Sequence, residues 1–363
     1  VNAALALQAP AGHRLGPVDA LRAFASVLIV WHHLAFYGPM SDVVRPLAPG
    51  LIDWLYDYGR MAVQVFLVVS GYLLAASLAQ QTAPRAWLPQ VGRRYLRLLV
   101  PYAAALTLAI LVAEAVRAWS AHPAVTGEPT WPQMLAHLLM LQDLVGEESL
   151  SAGVWYVAID LQLFALATAI CACGQRLHPR AAVCAVAALT LASLLVFNRR
   201  TELDSTAFYF FGAYGMGMLA AWGVRSTHPR SALAGIALLG LLALLVDPRA
   251  RIAVAWCTAL GLGLLQLRGW MDWQPPAWIA WLARVSYPVF LVHFSVLLAV
   301  GALWRLWWPT QPLANGLGML LVFVVSLWGG AALQRLEQGS ARLRTALGWQ
   351  LAVLVAGLLA ISW

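Results

Sequence analysis

An arginine and a histidine share one face of the first apolar segment. The stretch 18–33 reads Val-Asp-Ala-Leu-Arg-Ala-Phe-Ala-Ser-Val-Leu-Ile-Val-Trp-His-His, with Arg22 and His33 eleven residues apart. Eleven residues make almost three helical turns, so a helix points both side chains the same way, about 16 Å apart along its axis. Ionisable groups at membrane depth are costly and mark binding, transport or chemistry. The guanidinium is a fixed cation, and the imidazole titrates near neutrality and suits a general base. Asp19, three residues before Arg22, can reach it on a helix. His32 points about 100° away and is the weaker candidate. A core histidine satisfied by a carbonyl is the bland alternative for His33; the aligned arginine favours a chemical role.

Four later segments carry similar groups. Gln64-Val-Phe66-Leu-Val-Val-Ser70-Gly71-Tyr72 places a small pair where two helices can approach, or where a ligand meets a thin wall. Gly92-Arg93-Arg94-Tyr95-Leu96-Arg97 precedes a third apolar run. Its arginines are either a topology signal touching lipid phosphate or a seat for a soluble phosphorylated ligand, which guanidinium forks grip bidentately. Gly153-Val-Trp155-Tyr156-Val-Ala-Ile-Asp160-Leu-Gln162 sets a carboxylate inside an apolar helix. Asp160 therefore requires a partner, such as Arg22, or a proton. Gln162 diverges from Asp160 by about 160°, whereas Trp155 and Gln162 share a face. Arg284-Val-Ser286-Tyr287-Pro288 leads to His293, which faces a bundle interior on the same cost argument, as a structural or a functional histidine. Pro288 is expected near its helix start, where proline is tolerated.

The elements that must hold these groups follow from composition. Of 363 residues, 62% are hydrophobic and 10% charged, far below the roughly 25% charged of soluble domains. Apolar runs of about 20 residues predict an all-α, polytopic transmembrane helix bundle rather than a barrel. About 10–11 spans are expected, at 18–38, 59–80, 98–119, 153–173, 181–197, 207–224, 232–247, 251–267, 285–307, 314–334 and 346–362. Residues 131–142 are too short to cross and suit an interfacial helix. The chain reads as a single membrane domain over 1–363, with a core near 15–334 and an extra C-terminal span. No cleavable signal peptide and no soluble domain are expected. No repeat is visible, which speaks against inverted-repeat transporters.

All 23 basic residues are arginine, and the net charge is +8. They are spread through loops rather than gathered on one face, which argues against a nucleic-acid partner. A cytoplasmic N-terminus puts 15 of the 23 on the inner side, Arg14, Arg85 and Arg342 among them, as the positive-inside rule favours. Cys171, Cys173, Cys184 and Cys257 show no zinc spacing and no disulfide framework, and read as small core residues. No metal site is expected.

The five segments, in this order, resemble the membrane acyltransferase-3 family. The family's Leu-Asp-Gly-Leu-Arg followed by ten residues and a histidine is matched by Val18-Asp19-Ala20-Leu21-Arg22 with His33. Its Phe-Phe-x-Leu-Ser-Gly-Phe-like stretch is matched from Phe66 to Tyr72, and its Arg-Arg-x-x-Arg-x-x-x-Pro by Arg93, Arg94, Arg97 and Pro101. Trp155, Asp160 and Gln162, then Ser286, Tyr287, Phe290, Leu291 and His293, match the remaining two. Asp160 replaces the family's commoner Glu, and Gln64 stands where many relatives carry an acid.

The resemblance implies an integral membrane O-acyltransferase of the bacterial inner membrane. An acyl group, acetyl first among them, would pass from cytoplasmic acyl-CoA to a hydroxyl of an extracytoplasmic glycan or lipid-linked acceptor. Membrane lipid surrounds such a protein, and a separate periplasmic transferase could complete the transfer. On this reading His33, Arg22 and Asp160 are catalytic. Arg93, Arg94, Arg97, Ser70 and Gly71 hold the acyl-CoA, and Asp19, Trp155, Tyr156, Gln162 and His293 contact substrate. A transporter of a glycolipid or small anion, using the same Arg and His as a relay, is the alternative; an assembly partner would leave the intramembrane charges unexplained.

Overall fold

The computed structural model describes residues 15–80, 86–120, 123–178, 180–339 and 343–361. Arg14, Arg85 and Arg342 of the charge argument lie outside the described residues, as does residue 362 of the last expected span.

The described residues form fifteen α-helices and no strand. In chain order they are α1 (Gly16–Phe36), α2 (Met40–Val44), α3 (Pro49–Tyr58), α4 (Ala62–Ala79), α5 (Trp87–Arg117), α6 (Trp131–Leu138), α7 (Gln142–Val145) and α8 (Val154–Leu177). There follow α9 (Ala181–Leu195), α10 (Ala207–Gly223), α11 (Pro229–Val246), α12 (Ala250–Leu267), α13 (Ala277–Trp307), α14 (Pro312–Gly339) and α15 (Leu343–Ile361). Among the described residues, ten helical stretches are long and apolar enough to cross a membrane, one of them running through α3 and α4 over Pro49–Ala79. The chain is a multi-pass membrane protein of the all-α class. The expected span at 207–224 is α10, which at 17 residues falls just short of that length. Only Cys171 of the four cysteines is buried; Cys173, Cys184 and Cys257 are exposed on apolar helices rather than in the core.

Two compact units divide the chain: Val1–Ala25, Met61–Arg94 and Ile159–Ala283 form the first, and Ser26–Arg60, Tyr95–Ala158 and Arg284–Trp363 the second. The first is organised around α10, thirteen of whose 17 residues are buried. Small residues let it sit there. A Cβ on Gly71 of α4 would strike the Tyr214 carbonyl of α10, and one on Gly217 of α10 would strike the Val68 carbonyl of α4. The two backbones touch where both helices lack side chains, the close approach that small residues permit in lipid.

The second unit contains α6, whose start carries a complete capping box. The Thr130 hydroxyl accepts from the Gln133 main-chain N–H, and the Gln133 side-chain Oε1 accepts from the Thr130 N–H. Met134 and His137 face inward while Trp131 and Leu135 are exposed. His137 is fully enclosed: Nδ1 bonds the Gln133 carbonyl at 2.7 Å, and Nε2 accepts from the Leu150 N–H at 3.1 Å. That arrangement fits the neutral ring, and burial pulls its pKa down to about 4. α13 starts at Ala277, so Pro288, in the second unit, lies inside the helix, not near its start as expected. Proline has no N–H for the carbonyl four residues earlier; the Gln334 amide of α14 donates to that Arg284 carbonyl at 3.4 Å.

Two outcomes follow. Replacing Gly71 by Leu forces α4 from α10 and destabilises the protein by about 1–3 kcal/mol, read as a lower unfolding midpoint, whereas Gly92→Leu, at a position with open space, leaves it near wild type. For His137 the folded value lies below the ordinary 6.5, so the unfolded chain binds more protons in that interval. Its contribution to stability is complete above about pH 6.5 and is lost as pH falls toward 4, by roughly 3 kcal/mol in all. His137→Gln flattens the thermal stability profile across that window.

Candidate active site

The second unit brings two of the sequence-identified histidines together. His33 of α1 and His293 of α13 are buried, at 7% and 0% exposure. His33 Nδ1 lies 2.5 Å from His293 Nε2, with the rings nearly parallel. The tautomers follow by elimination. His293 Nδ1 lies 2.7 Å from the Phe290 carbonyl, which only accepts, so Nδ1 of His293 carries the proton. In a neutral ring the other nitrogen is then an acceptor. His293 Nε2 therefore accepts from His33 Nδ1–H, and the lone pair of His33 falls on Nε2. Tyr37 and His32 flank the same ring, at 5.5 and 5.2 Å between centroids. His32 is committed elsewhere: its Nδ1 bonds the Leu55 carbonyl of α3 at 2.9 Å.

The carbonyl end of this chain is held by packing. Phe290 meets Tyr156 edge to face at 5.4 Å, and Tyr156 meets Trp155 at 6.3 Å. The Phe290 ring rests on Gly153, where a Cβ would come within 2.8 Å of it and where φ is +86°. Both the space and the backbone angle call for glycine there. The helix start that carries Trp155 and Tyr156 is thus fixed against the residue that orients His293.

The first unit collects the charged candidates. Arg94 Nη2 donates to Asp160 Oδ2 at 2.5 Å, with the two side chains 8% and 6% exposed. The guanidinium lies 4.7 Å over the Phe164 ring. Asp160, expected to find Arg22, is instead paired with Arg94 because both project from neighbouring apolar helices with no solvent to take either charge. The arginine run therefore does not form one open patch: Arg93 is exposed, Arg94 is buried in an ion pair, and Arg97 of the second unit is half-buried. Gln162, expected to face substrate, has both ends of its amide engaged: it donates to the Ser205 carbonyl at 3.2 Å and accepts from the Ala207 N–H at 3.0 Å. It caps the first turn of α10. Gly71 packs on α10 as described, beside a half-buried Ser70. Asp19 and Arg22 are half-buried on α1. An apolar cavity of about 870 Å³ opens beside them, lined by Ala20, Leu21 and Phe24 of α1 and by Gly261, Leu262 and Leu265 of α12. Among the described residues no three His, Cys, Asp or Glu side chains cluster as metal ligands.

The family model described as the acyltransferase domain matches residues 17–335. The chain belongs to the acyltransferase-3 family. It is therefore a membrane acyltransferase. No curated protein and no solved structure matches it.

Residue spacing did not reveal Gly153 or the Phe290 carbonyl, because a backbone acceptor has no sequence signature. The His33–His293 pairing spans 260 residues; only the burial cost of each histidine hinted at it.

The Arg94–Asp160 pair has a measurable signature. Arg94→Met or Asp160→Leu alone leaves one buried charge unmatched and costs about 3–5 kcal/mol, whereas the double substitution recovers most of that loss. Unfolding of the purified protein measures it, with additive losses as the contrary result.

Proposed function

We propose that this acyltransferase moves an acyl group, acetyl first among the candidates, from cytoplasmic acyl-CoA to a hydroxyl of an extracytoplasmic glycan or lipid-linked acceptor. The observation that carries the reading is the His33–His293 hydrogen bond. It leaves His33 Nε2, the atom remote from His293, with a lone pair and no hydrogen bond among the described residues. A buried base whose free nitrogen is fixed by a second group is the arrangement that general-base catalysis of acyl transfer uses.

In the proposed step, His33 Nε2 takes the proton of the acceptor hydroxyl while its oxygen attacks the thioester carbonyl carbon. The carbon–sulfur bond then breaks, and the CoA thiolate leaves with the proton from His33. His293 is a positioning residue, holding the His33 tautomer from Nδ1 as the Phe290 carbonyl holds its own. Arg93, exposed at the start of α5, is the guanidinium proposed for the donor's phosphates, since Arg94 is committed to Asp160. We set the chain in a bacterial inner membrane with its N-terminal side toward the cytoplasm, which the excess of arginine on that side supports.

Mass spectrometry of envelope glycans and lipids, with and without the protein, identifies the acylated product. His33→Ala removes that mass shift, a loss on the order of 10²–10⁴-fold for a general base. His293→Gln keeps an acceptor for His33 Nδ1–H and retains more activity than His293→Leu, with expression unchanged in all three. Full turnover by His33→Ala contradicts the mechanism.

A further inference from the structure

The apolar cavity of about 870 Å³ in the first unit has no part in the step above. Its walls are one stripe from each of two helices. Pro17, Ala20, Leu21 and Phe24 recur at the three- and four-residue spacing of a single face of α1, and Cys257, Gly261 and Leu265 at four-residue spacing on α12. The walls meet where α1 begins, since a Cβ on Gly16 would strike the Trp273 carbonyl. From there the cavity follows α12 from Leu265 back to Cys257, about 12 Å at 1.5 Å per residue.

Three features decide what fits there. The first is the chemistry of the walls. On the two helices only Cys257 and Thr258 bring a polar side-chain atom to the cavity, and the Thr258 hydroxyl donates to the Val254 carbonyl at 2.7 Å. Water or a polar ligand would find almost nothing to bond, whereas hydrocarbon needs no partner. The second is depth. About 12 Å lies within one half of a hydrocarbon core roughly 30 Å thick, so the cavity matches a chain from one leaflet.

The third is the end at which the walls meet. Trp270 and Trp273 line it, and both are exposed. Indoles favour the level of the lipid head groups. The Arg268 guanidinium lies 5.7 Å from the centre of the Trp270 ring. It is exposed and makes no ion pair among the described residues, whereas Asp272 of the same turn has an interaction of its own. A cation thus stands at head-group level beside an apolar slot.

We propose that the cavity is a lipid site, taking one acyl chain of a phosphate-bearing lipid with its phosphate against Arg268. The walls accept any hydrocarbon chain, so selection falls to the guanidinium, which answers phosphate. The inference is independent of the acyl-transfer reading, because none of these residues is placed in that mechanism.

Photo-crosslinking of the full purified chain in phosphatidylcholine nanodiscs tests it. One arm carries a trace of phosphatidylglycerol with a diazirine on its acyl chain, and the other a diacylglycerol with the same chain and no phosphate. Adducts are located by peptide mass spectrometry. The expected adducts concentrate in 17–24 and 257–265, with the phosphatidylglycerol arm ahead by about fivefold. Gly261→Trp fills the slot from α12, where a Cβ meets open space, and removes the adducts in both arms with the unfolding midpoint unchanged. Arg268→Gln keeps the adducts and brings the ratio of the arms close to one. Adducts spread evenly over the lipid-facing helices, adducts unchanged in Gly261→Trp, or equal arms in the wild type overturn the site.

Discussion

Two neutral imidazoles buried side by side have one N–H and one lone pair each, and a hydrogen bond between them decides which atom bears which. In this protein the decision starts at a main-chain carbonyl. Phe290 offers only an acceptor, His293 answers it through Nδ1 at 2.7 Å, and His33 must then donate through its own Nδ1. A reversed tautomer would set two lone pairs or two N–H groups face to face in an apolar interior, where an unmatched polar group costs about 1–3 kcal/mol. The consequence is a base nitrogen whose identity the fold dictates.

The surrounding structure serves that constraint in ordinary ways. Gly153 makes room for the Phe290 ring, and Tyr156 braces it. Pro288 interrupts the hydrogen bonds of α13 one turn before His293, and Gln334 meets the carbonyl it frees. In the first unit the same demand for matched polar groups produces other pairings. Arg94 neutralises Asp160, Gln162 satisfies the start of α10, and Arg249 orients Asn198. Water cannot answer these groups within lipid, so each side chain must be answered by another.

Hydropathy made the fold class legible, because a run of about 20 apolar residues has few other uses. Helix limits were less legible. α5 and α13 each run 31 residues, past their apolar windows, because amphipathic and charged turns continue the same hydrogen-bond ladder. That is also why Pro288, read as a helix start, is interior. The alignment of Arg22 with His33 could be seen from spacing alone, since both belong to one continuous helix. Pairings between distant helices could not. Asp160 plainly needed a cation, but burial alone does not say which arginine supplies it, and the answer was Arg94 rather than Arg22. Ser70-Gly71 looked equally like a packing patch or a ligand wall, and the Tyr214 backbone against Gly71 shows the packing.

The most direct test of the central claim is the protonation pattern of His33 itself. Nitrogen-15 NMR of the histidine-labelled protein in lipid, assigned by comparison with His33→Gln, reports it atom by atom. The account predicts a neutral His33 with its proton on Nδ1 and a bare Nε2. A proton found on Nε2, with Nδ1 bare, would contradict it.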